Sequence, residues 1–122
     1  MNCDKGDIVF VDYYNYPDGR SGEYHFFVVI EIDYNELTLV PIEYLGFILS
    51  SQKSKENCRN ENFPYNEPII PNEINRLPKR SHVKCDELFS LNPNSVIMKL
   101  GQITISQYER FIELYKQSLN DV

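Results

Sequence analysis

Lys84 and Asp86 stand two residues apart, a spacing that puts both side chains on one face of a regular strand. A cation beside a carboxylate is suited to holding a phosphate and handling a proton. The competing reading is a surface ion pair at a strand end. His25 is a second candidate for proton transfer, because an imidazole serves as base or acid near neutral pH, although a lone histidine at a strand start is often structural. Glu43 offers a carboxylate of the general-base type. Arg76, Lys79, Arg80, His82 and Lys84 fall within nine residues, and Arg20 adds a cation in the segment before His25. Tyr13, Tyr14, Tyr16 and Tyr24 are suited to stacking on unpaired bases, or to lying half-buried in strands. Cys85, between Lys84 and Asp86, points to the other face and reads as a core thiol.

The elements that must hold these groups begin with Lys5 to Ile30. Ile8 to Tyr13 and the apolar run Phe26 to Ile32 are rich in β-branched and aromatic residues and predict two strands, the second central. Pro17-Asp18-Gly19 marks a turn between them, inside a polar loop from Asn15 to Tyr24, with His25 opening the second strand. Leu37 to Glu43 predicts a third strand, with Pro41 at an edge or bulge. Tyr44 to Leu49 extends it or begins a loop. Ser50 to Pro68 is polar and without period, and predicts a loop or flap within a polar insertion at about 50–79. A strand piece at Ile69-Ile70-Pro71, one helical turn over Asn72 to Leu77 capped by Asn72, and strands at Ser81 to Cys85 and Ser95 to Leu100 follow. Ser106 with Glu109 forms a capping-box pattern, and Tyr108, Phe111, Ile112, Tyr115 and Leu119 recur at helical spacing over about 107–119. Five or so mostly antiparallel strands and a C-terminal helix predict a small, mainly β, barrel-like α+β domain spanning 1–122.

The formal charge of −6 opposes long-range attraction to nucleic acid, and the basic cluster stands against that total. Cys3, Cys58 and Cys85 are odd in number and form no CxxC pair, which excludes a zinc knuckle or thioredoxin-like motif. With no charged leader and no apolar run of membrane-spanning length, the expectation is a soluble cytoplasmic protein without a metal or cofactor.

Three segments, in order, resemble the MazF/PemK family of toxins from type II toxin–antitoxin systems. They are Lys5-Gly6-Asp7-Ile8-Val9-Phe10-Val11-Asp12 with the Val28-Val29-Ile30 strand, then His82-Val83-Lys84-Cys85-Asp86, and last Val96-Ile97-Met98-Lys99-Leu100-Gly101-Gln102-Ile103. The resemblance implies a twisted antiparallel SH3-like barrel with a C-terminal helix, a homodimer, metal-independent cleavage of single-stranded RNA, and neutralisation by a cognate antitoxin. Lys84 and Asp86 correspond to positions of the family's catalytic group; with His25 and Glu43, read from their chemistry, they are the candidate catalytic residues, and Arg20, Tyr24, Lys79, Arg80 and His82 are the candidate RNA contacts. Lys84 stands where an arginine is common, and His25 where an arginine usually precedes a proline. Glu43 stands where the end of the third strand usually carries serine or threonine. Two other functions remain on these residues: a catalytically degenerate module that binds a protein target, as gyrase poisons of the CcdB type do, and a barrel that binds nucleic acid without toxicity.

Overall fold

The computed structural model describes residues 2–51 and 63–121. Seven strands, β1 (Asp7–Asn15), β2 (Ser21–Tyr34), β3 (Pro41–Ser51), β4 (Asn66–Ile69), β5 (Ser81–Lys84), β6 (Phe89–Leu91) and β7 (Val96–Gln102), precede one helix, α1 (Ile105–Asn120). They pair antiparallel in the order β4-β5-β3-β2-β1-β7, with β6 also on β3. The terminal strands β4 and β7 do not pair with each other, so the sheet is open and not a hydrogen-bonded barrel.

Alternation along the strands divides the core between the two sheet faces. Val9, Val11, Tyr14, Phe27, Val29, Tyr44, Ile48, Phe89 and Leu91 pack on one face. Ile8, Val28, Phe47, Leu49, Val83 and Cys85 pack on the other, beneath Phe111 and Leu114 of α1. Burying a ring such as Phe27, Phe47 or Phe89 stabilises the fold by about 1.5–3 kcal/mol each. Tyr108 ties the helix to the central strand by donating its hydroxyl to the Ile30 carbonyl at 2.7 Å.

Several local expectations shift. The β1–β2 hairpin stays in register out to Asn15↔Ser21, which leaves only residues 16–20 as loop and places His25 inside β2, opposite Val11. The Pro17-Asp18-Gly19 turn is present, with Gly19 at φ 96° donating to Tyr16 at 2.9 Å. The third strand begins at Pro41 and not at Leu37, because the Asn35 side chain takes the backbone N–H groups of Leu37 and Thr38 at 2.9 and 3.1 Å and holds a turn. Leu39 in that turn is left-handed at φ 58°. Tyr44 to Leu49 continues the strand as far as Ser51, so Ser50 and Ser51 belong to a strand and not to a flap.

In the stretch after the strand, residues 52–62 lie outside the described residues. The part that follows is built into the fold: β4 pairs with β5, Ile69 and Leu77 are buried, and Asn72 caps a single turn by accepting from the N–H groups of Ile74 and Asn75. The helix starts earlier than Ser106 would set it. Thr104 is the N-cap, with Gln107 completing the box: Gln107 N–H donates to Thr104 Oγ1 at 3.1 Å and Thr104 N–H to Gln107 Oε1 at 2.9 Å. Leu114 is buried in place of the expected Leu119, which is exposed. Among the described residues no helix is long and apolar enough to cross a membrane.

Candidate active site

Three central strands carry the polar end of the first core face. The β2–β3 register pairs Phe26 with Leu49, so the next rung sets His25 opposite Ser50. Ser50 in turn pairs with His82 on β5. His25, Ser50 and His82 therefore lie side by side on one face, the two histidine backbones two strand spacings, or roughly 10 Å, apart. Lys84, two residues beyond His82, shares that face and pairs with Asn66 on β4. Val83 and Cys85 point the other way into the core beneath α1. The Cys85 thiol is pushed up by burial, as expected of a core thiol and not a nucleophile.

These side chains line an open cavity of about 510 Å³, together with Ser51, Phe63 and Lys79. A recess of about 170 Å³ adjoins it at His25, Ser51 and Lys79 and is walled by Tyr24, Phe26 and Pro78. Another, of about 100 Å³, joins His25, Ser50 and Lys84 to Tyr16 and Glu87. His25, Ser50, His82 and Lys84 meet the main cavity from the sheet face away from the helix, whereas Phe26 and Leu49 in the adjoining recess belong to the helix-covered face.

Both imidazoles are held below the ordinary histidine value, mainly by burial and secondarily by Lys84. They are consequently neutral at pH 7. His82 is 2% exposed, and its Nδ1 has no hydrogen-bond partner among the described residues. His25 is half-buried, with Nδ1 3.4 Å from the Tyr14 hydroxyl and its ring edge-on to that of Tyr14. Burial, with Tyr16 next to it, pushes the Tyr14 hydroxyl up to about 12, so it keeps its proton. In the tautomer where His25 Nδ1–H donates to the Tyr14 oxygen, Nε2 is left as a lone pair, the form a general base needs. Gly22 makes room for this arrangement: a Cβ there would stand 2.3 Å from Tyr14 Cζ.

Of the residues singled out from sequence, His25, Lys84, Lys79 and His82 line the main cavity, and Tyr24 lines its neighbour. Tyr24 is exposed and left-handed at φ 53°. Arg20 does not line the described cavities; its guanidinium is 4.4 Å from the ring centroid of Tyr16, which lines the smallest recess, and ion-paired to Asp18 at 2.7 Å. Arg80 is exposed and does not line the cavity.

Asp86 is not brought in. β5 ends at Lys84 and the chain turns at Cys85–Asp86, which breaks the alternation that would put Asp86 beside Lys84. Glu43 is not brought in either. It pairs with Asp33 at the far end of β3, roughly 20 Å along the strand from Ser50. Because β3 runs on to Ser51, its end carries two serines, the residue type the family resemblance places at a third-strand end. Ser50, Ser51 and Asn66 were not legible as site residues, and Tyr14 was legible only as a stacking ring, not as a partner of His25. Only the alternation running through Phe47-Ile48-Leu49 into Ser50 could have signalled one of them. Among the described residues no group of three or more His, Cys, Asp or Glu gathers as metal ligands do.

No family model matches the chain, and no curated protein matches its sequence. Solved structures do match, and they define the class of fold as that of MazF toxins. One is an endoribonuclease in complex with its cognate antitoxin from Mycobacterial species, with a TM-score of 0.63 and 12% identity over 98% of this chain and 96% of that one. Another is the Mycobacterium tuberculosis toxin MazF-mt6, with a TM-score of 0.58 and 12% identity over 92% of this chain and 96% of that one. At that identity the likeness is one of fold.

Proposed function

We propose that this protein is a toxin-type endoribonuclease that cleaves single-stranded RNA by attack of the 2′-hydroxyl on the adjacent phosphate. The observation that carries the reading is the convergence of His25, Lys84 and Ser50 in one cavity on a MazF-like fold. A neutral imidazole, oriented through Nδ1 by Tyr14, is suited to take the 2′-hydroxyl proton. Lys84 is suited to balance the charge that develops on the phosphorane oxygens, as a point charge in place of a bidentate guanidinium. Ser50 and Asn66 supply hydrogen-bond donors from the cavity wall.

Lys79 and Arg20 attract the backbone on either side, and Tyr24 presents an exposed ring for a base to stack on. These cations set the local field in an acidic chain. Asp86 and Glu43 carry no role in this reading. It extends to a single domain over 1–122, a homodimer in the cytoplasm, and a cognate antitoxin that covers the groove. The antitoxin is supported by the complexed state of the similar mycobacterial endoribonuclease.

The test is incubation of the purified protein with a long single-stranded RNA in EDTA, beside a Lys84→Ala variant. Discrete fragments ending in 2′,3′-cyclic phosphate and 5′-hydroxyl, lost in the variant, are expected. Intact RNA from a folded wild-type protein would sink the reading.

A further inference from the structure

Resting on the endoribonuclease reading, we infer that His82 is the second proton carrier of the site, the acid that protonates the departing 5′-oxygen. His25 and His82 stand on a common rung of the sheet with Ser50 between them, and both line the cavity that holds Lys84. A phosphate seated above Ser50 and beside Lys84 would have an imidazole on each side. In-line displacement calls for that geometry, because the attacking and leaving oxygens sit on opposite sides of phosphorus.

His82 is buried between β3 and β4 with one ring nitrogen unsatisfied. Its side chain is 2% exposed, Nδ1 has no partner among the described residues, and its strand neighbours Ser50 and Pro68 bear no charge. A buried polar atom left without a bond costs about 1–3 kcal/mol, and a catalytic role is one reason for keeping such a group. The charged and titratable groups that share its cavity are Lys84, Lys79 and His25. In the empty site burial, and secondarily the like charge of Lys84, oppose protonation of His82. An RNA phosphate entering the cavity offsets that opposition and loads the imidazole with its proton when substrate is present.

The step balances. His25 takes the 2′-hydroxyl proton, O2′ bonds to phosphorus, and the P–O5′ bond breaks with its electron pair on O5′. His82 then gives a ring N–H proton to O5′. The products are a 2′,3′-cyclic phosphate and a 5′-hydroxyl, and the two imidazoles regain their starting states by proton exchange with water.

The experiment compares the wild-type protein and His82→Gln on a short RNA cut at one mapped site and on the same RNA with sulfur in place of the bridging 5′-oxygen. A thiolate leaves without protonation. The expected result is a loss of about 10²- to 10⁴-fold for His82→Gln on the oxygen substrate and near-wild-type cleavage of the sulfur substrate. His25→Gln is expected to lose activity on both. Equal loss on both substrates by a folded His82→Gln protein would overturn the assignment, as would equal activity on both. A wild-type protein that cuts neither substrate would overturn the endoribonuclease reading itself, and this one with it.

Discussion

Two buried titratable groups stand in different parts of the sheet, each with a lysine nearby, and the pairing has opposite electrostatic sense. On β1, Asp7 is fully buried; its Oδ2 accepts from Lys99 Nζ at 3.1 Å and from the Asp4 N–H at 2.7 Å, while Oδ1 is sealed without a partner. There the lysine is an opposite charge and bonds one oxygen of the carboxylate. On β5, His82 is nearly as deeply buried, and burial first, with the like charge of Lys84 second, disfavours a charged imidazole. The first arrangement pairs opposite charges and ties β7 to its neighbour β1. In the proposed reading, the phosphate of an RNA substrate supplies the second with its opposite charge. The two differ in the sign of the neighbouring charge: Lys99 attracts the Asp7 carboxylate, whereas Lys84 repels a protonated His82.

The sharpest way to break this contrast is Lys84→Ala. RNA cleavage should fall by about 10²–10³-fold, read from initial rates, with thermal stability little changed, because Lys84 acts on the charge of the transition state. A drop in stability with unchanged rate would assign Lys84 to the same structural class as Lys99. Next in size is Lys99→Met, which strands the Asp7 carboxylate in the interior and should cost about 3 kcal/mol, read by denaturant unfolding. Cleavage per folded molecule should be unaffected.

Tyr14→Phe keeps the buried ring and removes only the hydroxyl beside His25 Nδ1. About a tenfold loss of cleavage rate is expected, the worth of one modest hydrogen bond. No loss would mean that His25 needs no orienting partner.

A smaller effect concerns pH. Burial and Lys84 lower both imidazoles in the folded state relative to the ordinary value of 6.5, so the unfolded chain binds protons more readily. The stability they contribute is fully present above about pH 6.5 and is lost as the pH falls from there through the depressed folded values. Melting temperatures measured from pH 7.5 to 5 should decline, and less steeply in Lys84→Ala, where the like charge is gone. An identical slope would remove Lys84 from the account. The smallest effects belong to Asp86→Asn and Glu43→Gln, each expected within about 0.5 kcal/mol in stability and about twofold in cleavage. A large loss in either would bring the excluded carboxylate back into the chemistry.

The sequence alone determined the features that depend on near neighbours along the chain. The β-branched runs of β1 and β2, the Pro17-Asp18-Gly19 turn, the Asn72 cap and the amphipathic terminal helix all act within a few residues, where side-chain period and turn chemistry decide the outcome. His25, Lys84, Lys79, His82 and Tyr24 were legible as candidates by residue type and local cluster, and His82 only as an RNA contact. Tertiary structure decided which of them meet. The extension of β3 to Ser51, the β3–β5 pairing of Ser50 with His82, and the turn that carries Asp86 away arise from contacts between residues distant in sequence. A strand's face depends on where it stops as well as where it starts. Spacing two residues apart says that Lys84 and Asp86 would share a face if the strand continued; only the fold says that it ends between them.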